Sequence, residues 1–554
     1  MIIALGVMIV TSLLLAGTFI GVDGDIVLTS KSTSQKKAYY AALAGINDYQ
    51  FHLNANPEYW TTCTGASNVA VPNTTEETYS ITLVPAEGSG SKECETANAN
   101  ASMIQQTGSA AGTFRIESTG VSGSETQSIV ATIKHEGFLN YVYFTEFETS
   151  DPVQYEKETE YLGCKAHYKA RQEWEAEEPQ KKNGIHCNVI SFGANDGVHG
   201  PIHTNDKAAI CGEPVFGRNS EDKVEFDFGW YASCGGSNPK FLGTYTTEGK
   251  ELRTPPTDQT LIASAGYTFT GRTEITLNAN LAKPTEANTI TVTTKEGGSW
   301  KTSTKAWPSS GVIYVNNGTS PSCEQKYTPF GPNYELTSKN ENCGDAYVHG
   351  NYTQSLTIGT ADDLIIDGNI ETTHTAGEPS VEAPTGLATL GLIAENFVRV
   401  YKPVKKTYAK TGASCNNGDP YNATTKLCEY TNDSNICDAP TLTATEAEKE
   451  LGIKTGGAQS NPVIDAAILA INHEFIVDNY ECGPFLGYLN IWGAIGQEYR
   501  GIVWESNGNG EHGYDKDYNY DNRLHVLSPP HFINPVDSAW KVQREAEPPK
   551  SFVP

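Results

Sequence analysis

The chain has 554 residues, which is enough for two to four domains and sets no limit on the size of its core. Its 66 acidic and 39 basic side chains give a formal net charge of −27, which argues against binding to a phosphate backbone as its main task. The same excess of carboxylates suits a surface that faces an aqueous medium.

Residues 1–22 contain no charged side chain. A helix of this length would measure about 33 Å, enough to cross the hydrocarbon core of a bilayer. A secretory signal peptide would need a basic start and a small-residue cleavage site, and neither is present; a plain membrane anchor stays an alternative. We predict a transmembrane helix here, with apolar side chains at Ile2, Ile3, Leu5, Val7, Ile9, Leu13, Leu14, Leu15, Phe19 and Ile20.

The helical pattern continues beyond this apolar run to about Trp60. Apolar residues recur there at spacings of three and four, which places them on one face of a helix. These residues are Tyr39, Ala42, Leu43, Ile46 and Tyr49. The sequence therefore predicts one helix of about 50 to 60 residues, apolar in its first half and amphipathic in its second.

The amphipathic half contains Ala38-Tyr39-Tyr40-Ala41-Ala42-Leu43-Ala44-Gly45-Ile46. This run matches a motif of the form A-(F/Y)-x-A-A/E-x-A-G-(I/L), with motif positions at Ala38, Tyr39, Ala41, Ala42, Ala44, Gly45 and Ile46. Through this motif, the first 60 residues resemble the PilX-like minor pilins of type IV pili. Leu43 stands where the family often has Glu, and the family's basic leader and early Glu are absent from the sequence.

The resemblance implies a non-enzymatic subunit of a type IV pilus or a related filament. Such a subunit would lie in the cell membrane before assembly, and its apolar helix half would then enter the core of the filament. Its partners would be other pilin subunits and the membrane, and its large body would lie at the cell surface and serve adhesion or pilus assembly. The missing Glu and the bulk of the body favour a minor or tip position over that of the major subunit.

Twelve cysteines are present, none with the C-x-x-C spacing of a zinc or redox site. Loose local pairs in a chain rich in Gly, Asn and Thr are typical of disulfides formed in an oxidising compartment. The spacing leaves the connectivity open. The candidates are Cys63 and Cys94, Cys164 and Cys187, Cys211 and Cys234, Cys323 and Cys343, and then Cys415, Cys428, Cys437 and Cys482.

Residues 61–187 read as a β region with a charged excursion at 151–184. The segments TYSITLV, TFRIEST and SIVATIKHE have the β-branched and alternating composition of strands, and the aromatic stretch 137–149 has the same pattern. We predict a β-rich subdomain here, with the excursion held by Cys164 and Cys187.

From residue 188 onward a short unit recurs, in which a glycine lies between apolar or β-branched residues. Short strands broken by Gly or Asn corners are what a parallel β-helix needs, and two of the units are 18 residues apart, about one coil. A β-sandwich stays the alternative. The units are Val198–Ile202, Phe269–Thr273, Val348–Tyr352, Ile366–Ile370 and Ile491–Ile495.

Two stretches offer candidate metal ligands. His199, His203 and Asp206 lie within one short segment, although two histidines in a turn are more often simply solvated. Asp515, Asp517, Asn519 and Asp521 alternate in the manner of the first half of an EF-hand calcium loop, but that loop's glycine and bidentate Glu are missing. The alternative for this second stretch is a β-hairpin with its tyrosines inward.

The predicted fold class is mainly β: a long N-terminal transmembrane, pilin-type helix followed by a β-rich ectodomain, a parallel β-helix with disulfide-stapled insertions. The predicted domains are 1–60 (transmembrane at 1–22), 61–187, 188–540 and a tail at 541–554. No catalytic residue and no cofactor is predicted, with calcium as the one possible ion. The alternative functions are a cell-surface β-helix enzyme acting on polysaccharide and a structural envelope protein.

Overall fold

The structure is a computed structural model of the whole chain. It describes residues 2–56, 59–87, 89–96, 102–105, 113–135, 137–152, 187–249, 251–319, 340–375, 382–405, 459–481, 483–507, 510–535 and 540–546, with isolated residues and short pieces within 164–171, 322–327 and 407–445. Along the first helix, side chains are described at residues 7–12 and 30–55.

The chain forms two compact units. The first, which we call the helix–sheet unit, comprises Met1–Glu136 and Ala539–Pro554, and the second, the solenoid unit, comprises Gly137–Ser538. These limits differ from the predicted boundaries at residues 60, 187 and 540. The C-terminal segment belongs to the first unit because a strand at residues 540–546 pairs with a strand of that unit.

The helix–sheet unit combines one long helix with one antiparallel sheet. Helix α1 (Ile2–Ala55) has 54 residues and ends two residues before Pro57, where a proline disfavours helical backbone in the residue that precedes it. The sheet order is β1-β2-β3-β4-β33. Its strands are β1 (Ala66–Ala70), β2 (Thr78–Val84), β3 (Thr113–Ser122), β4 (Glu125–His135) and β33 (Trp540–Ala546).

The predicted fold class needs correction at the N-terminus. No helix in the part of the chain that the structure describes is long and apolar enough to cross a membrane, so the predicted transmembrane span at residues 1–22 is wrong. Of the ten apolar residues assigned to that span, Val7 and Ile9 have described side chains. The side chains of Ile2, Ile3, Leu5, Leu13, Leu14, Leu15, Phe19 and Ile20 lie outside the described residues.

The solenoid unit is rich in short strands. Its first arm contains β5 (Tyr143–Phe147), β6 (Ser191–Phe192), β7 (Gly197–His199), β8 (Ile202–Thr204), β9 (Ala208–Ile210), β10 (Val215–Phe216), β11 (Lys223–Phe226), β12 (Trp230–Ala232), β13 (Lys240–Phe241) and β14 (Thr244–Thr246). Short 3-10 turns occur in both units, at Tyr59–Thr62, Phe138–Asn140, Gln259–Ser264, Asn340–Asn342 and Asn522–His525.

The second arm begins at β15 (Tyr267–Thr270) and β16 (Thr273–Asn278) and ends at β32. Its other strands are β17 (Thr289–Glu296), β18 (Ser299–Ala306), β19 (Val312–Asn316), β20 (Ala346–Asn351), β21 (Leu356–Thr360), β22 (Leu364–Glu371), β23 (Leu390–Ala394), β24 (Val398–Val400), β25 (Thr407–Ala409), β26 (Tyr421–Asn422), β27 (Leu427–Glu429), β28 (Val463–Ala470), β29 (Phe475–Val477), β30 (Phe485–Tyr499), β31 (Trp504–Asn507) and β32 (Gly510–Tyr520).

Most of these strands pair in parallel with the equivalent strand of the next coil, which makes a β-solenoid. Ile275, Val348 and Ile366 illustrate the stacking: they are paired across β16, β20 and β22, and all three are buried. Coils about 4.8 Å apart bring like side chains into contact and bury a continuous core. Antiparallel exceptions are the β16-β17-β18 meander, the β31-β32 pair and the small β25-β27-β26 sheet.

The two arms meet at β5 and β32. The first arm runs outward from β5 and β7 through β8, β10 and β11 to β13 and β14. The second arm runs back toward the same place: its strand β30 pairs with both β5 and β32, and its last strand, β32, also pairs with β7. Strand β32 therefore completes the coil that joins the arms.

Disulfides close local loops in both units, which confirms the predicted use of the cysteines. The bonds among described residues are Cys63–Cys94, Cys164–Cys187, Cys211–Cys234, Cys323–Cys343 and Cys415–Cys428. The first four join the local pairs, whose connectivity the sequence had left open. Cys437 and Cys482 lie outside the described residues, as does most of the charged excursion at 151–184.

Candidate functional site

The predicted pilin-like motif lies where helix α1 packs on its sheet. Ala38, Ala41, Ala42 and Ile46 are at most 1% exposed, and Gly45 is buried beside them. They recur at the three- and four-residue spacing that keeps them on one helical face, which Tyr49 and Leu53 extend toward the helix end. Ala44 is half-buried at the edge of this face, and Tyr39 is exposed.

Small residues on both sides let the helix backbone approach the sheet closely. A Cβ added to Gly45 would lie 2.3 Å from the Ser118 hydroxyl, and one added to Gly120 on β3 would lie 2.0 Å from the backbone oxygen of Ala38. Real Cβ atoms do not approach other atoms so closely, so both positions require glycine at this spacing. Sequence analysis found the helical half of this contact but missed Ser118 and Gly120.

Polar contacts fix the rim of the same interface. Lys37 forms an ion pair with Glu77, with 2.9 Å between Nζ and Oε1, and Gln35 donates a hydrogen bond of 3.1 Å to Glu125. The hydrogen bond from Lys37 lowers the pKa of Glu77 to about 2, and backbone donors support this shift. The carboxylate therefore stays ionised and paired over most of the pH range.

Other parts of α1 present apolar side chains to solvent. Val7, Met8, Ile9 and Val10 are 54 to 66% exposed, although they are four apolar residues in succession. Farther along, Tyr39, Tyr40 and Phe51 are also exposed on the helix. Large apolar groups exposed together are a usual mark of a surface that contacts another molecule. Residues 7–10 are therefore the described part of a candidate assembly surface.

The predicted calcium residues lie on strand β32 and at its end, not in a loop. Residues two apart on a strand are about 6.8 Å apart, so Asp515, Asp517 and Asn519 cannot converge as loop ligands do. The structure gives these residues separate partners: Asp515 accepts from Asn195, Asp517 lies 3.6 Å from His199, and Asp521 pairs with Arg523 at 2.7 Å.

The other candidate set, His199, His203 and Asp206, is also divided among separate partners. The His203 ring lies 3.3 Å from Glu225 and 2.9 Å from Asn205, within the buried interior. Asp206 accepts from Arg171 at 2.8 Å. The structure does not bring the three predicted side chains together.

A different cluster does converge, and sequence analysis missed it. Glu274 on β16, His349 on β20 and Asp367 on β22 each offer one ligand atom, and these atoms lie within 4.8 Å of one another. The signal was present in the repeat, because His349 and Asp367 occupy the same position of two glycine units 18 residues apart. Pairing of Val348 with Ile366 sets the residues that follow them side by side.

A second group with ligand-type side chains contains Cys323, Cys343 and Asp362. Its two cysteines are joined in a disulfide, so they offer no thiolate to a metal. Among the described residues, the Glu274–His349–Asp367 cluster is therefore the arrangement suited to hold an ion.

Comparisons with known proteins add little to this geometry. No protein-family model matches the chain, and no match was found among curated proteins. Among solved structures, the chain is similar to the competence-associated pilin ComZ from Thermus thermophilus, with 11% identity and a TM-score of 0.25, over 93% of this chain and 97% of that one. At this TM-score the likeness does not establish a shared fold.

Proposed function

We propose that the chain is a non-enzymatic, pilin-type subunit of a type IV pilus or a related surface filament. The observation that carries the proposal is the construction of the helix–sheet unit. The second half of α1 is fastened to an antiparallel sheet through the predicted motif, while Val7–Val10 near its start are exposed apolar residues. One part of the helix is thus fixed in its own subunit, and another is open to a neighbour.

Helix-to-helix contact would bury the apolar surface near the start of α1. Each square ångström of apolar surface removed from water contributes roughly 25 cal/mol, so four side chains buried in a filament core would favour assembly by several kcal/mol. The occupant of this surface, in our proposal, is the N-terminal helix of another pilin-type subunit. Coiled or bundled helices of this kind pack at interaxial distances of roughly 8 to 10 Å.

The solenoid unit supports a minor or tip position. The solenoid unit spans residues 137–538, which is too bulky for the subunit that repeats along the whole length of a thin fibre. Disulfides and a net charge of −27 suit a body outside the cell. We propose that this unit serves adhesion or pilus assembly at the cell surface, by binding a glycan, another surface or a partner pilin.

Site-specific photo-crosslinking tests the proposal. Benzoylphenylalanine is placed at Ile9 in the full chain, in cells that make filaments, and the adducts are identified by mass spectrometry. We expect adducts to the N-terminal helix of a pilin-type protein. The matched control carries the same probe at Leu387 of the solenoid unit, which is 79% exposed. If position 9 yields no more pilin adducts than position 387, the proposal is wrong.

A further inference from the structure

Three successive coils of the solenoid bring Glu274, His349 and Asp367 to one place. Thr276 is paired with His349 across β16 and β20, and Glu274 lies two residues earlier on the same face of β16. Asp367 follows on β22, with its Oδ1 2.9 Å from Nδ1 of His349. The cluster is therefore built by the coil-to-coil register of the fold and does not depend on a flexible loop.

The environment of the cluster favours a cation. Glu274 and Asp367 are at most 2% exposed, so little water competes with a cation for their oxygens. The described cluster combines two carboxylates with a single imidazole, and these are ligand types that divalent cations of the first transition series take.

The imidazole of His349 is oriented by its neighbours. Its Nε2 lies 3.3 Å from the Thr276 hydroxyl, and a hydrogen bond between these two atoms fixes the ring. When Nε2 carries the proton, the lone pair of Nδ1 faces the carboxylate of Asp367 at 2.9 Å, so both atoms are available to one cation. The third ligand, from Glu274, distinguishes this cluster from an ordinary His–Asp pair.

We propose that Glu274, His349 and Asp367 bind a divalent cation of the zinc class. One imidazole nitrogen and two carboxylate oxygens suit Zn²⁺ better than Ca²⁺, which takes six to eight oxygen ligands. Zinc bonds of about 2.0 to 2.2 Å place its ligand atoms roughly 3.3 Å apart. The present separations lie on both sides of this value, from 2.9 Å between His349 and Asp367 up to at most 4.8 Å within the cluster, so small side-chain rotations would adjust them. Three protein ligands leave a fourth position for water or a ligand.

Metal titration of the full-length protein tests this site independently of filament assembly. The protein is treated with a chelator, freed of it, and titrated with ZnCl₂ in a calorimeter, and bound metal is measured by inductively coupled plasma mass spectrometry. We expect one high-affinity zinc per chain. His349→Gln and Glu274→Gln should each bind zinc at least about tenfold more weakly, since even supporting residues of metal sites have effects of that size.

The matched control is His374→Gln. His374 also contacts a buried carboxylate, with Nε2 2.7 Å from Asp465, but it belongs to no three-ligand cluster of the described residues. This variant should keep the affinity and stoichiometry of the wild type. Absence of stoichiometric zinc binding by the wild type, or equal zinc loss in the control, would overturn the proposal. The wild-type titration decides the question even where a variant fails to fold.

Discussion

At the residue scale, the contact between helix α1 and its sheet depends on two positions without a side chain. Gly45 lies against Ser118 and the Tyr79 ring, and Gly120 lies against the helix backbone at Ala38 and Ala42. A flexible side chain can move away from an added methyl group, whereas the helix backbone cannot without shifting as a whole. Gly120 is therefore the stricter of the two positions.

We predict that Gly120→Ala loosens the helix–sheet unit. The added Cβ would meet backbone atoms at 2.0 and 2.4 Å, and overpacking of this kind costs roughly 1 to 3 kcal/mol. Hydrogen exchange should show faster exchange of backbone amides in β2, β3 and residues 38–53 of α1. The control is Gly235→Ala, where an added Cβ meets no atom within 4 Å. Unchanged protection in Gly120→Ala would contradict the account of the motif.

A buried carboxyl in the solenoid unit makes stability depend on pH. Burial is the largest of the effects that together raise the pKa of Asp258 from 3.8 to about 8; a hydrogen bond of 2.6 Å from Tyr314 opposes the rise, and nearby Glu395 adds to it. Since the pKa in the folded state lies above that in the unfolded state, the contribution of Asp258 to the free energy of unfolding is fully present below pH 4. This contribution is lost as the pH rises through about 8.

We predict that Asp258→Asn removes this part of the pH dependence of stability, because the amide cannot ionise. Each pKa unit corresponds to about 1.4 kcal/mol, so the wild type should lose a few kcal/mol relative to the variant between pH 4 and 8. The measurement is the free energy of unfolding in urea at several pH values. Glu286→Gln, at an exposed position paired with Lys283, serves as control. Parallel pH curves for wild type and Asp258→Asn would refute the prediction.

At the element scale, the local alternation of apolar residues located many strands but could not show which strands pair with each other. The segment TYSITLV coincides with β2, and the aromatic stretch 137–149 contains β5, because alternation of apolar residues is a local property. The pairing of β5 with β30 joins Tyr143 to Ile495 across most of the unit, and no local pattern contains that information. The start of β32 pairs with β31 in antiparallel and its tyrosines are buried, in agreement with the hairpin alternative, whereas its parallel pairing with β30 and β7 could not be predicted for the same reason.

The disulfides reinforce particular coils of the solenoid. Cys211 follows β9 and Cys234 follows β12, and these two strands pair in parallel. The bond therefore closes a 23-residue separation that spans one coil of the first arm. Sequence spacing indicated this pair but could not show that it links neighbouring coils.

We predict that the double variant Cys211→Ser with Cys234→Ser destabilises the first arm by roughly 2 to 4 kcal/mol, the usual effect of a disulfide that closes a loop of this size. Hydrogen exchange of amides in β9 to β12 should report the loss. Removing Cys415 and Cys428 in the same way is the control, because that bond lies in the small β25-β27-β26 sheet. Equal protection of β9 to β12 in both double variants would count against the prediction.

At the scale of the whole molecule, sequence analysis predicted a long N-terminal helix and a β-rich body, but it was wrong about the membrane span and differed on the limits of the units. The motif identified the packed helical face because small residues at helical spacing are a local signal. The return of β33 to the first sheet, and the metal-type cluster of three coils, depend on long-range register. Such contacts follow only from the complete fold.

The central claim is that the start of helix α1 assembles this chain into a filament. The most direct measurement is the amount of the chain in filaments sheared from cells, by quantitative immunoblot, for wild type, Ile9→Lys and Ile9→Leu. Ile9 is 54% exposed, so neither substitution should disturb the folded subunit. We predict that wild type and Ile9→Leu enter filaments and that Ile9→Lys is largely excluded, because a charge would be buried without a partner. Absence of the wild-type chain from filaments, or equal incorporation of Ile9→Lys, would contradict the claim.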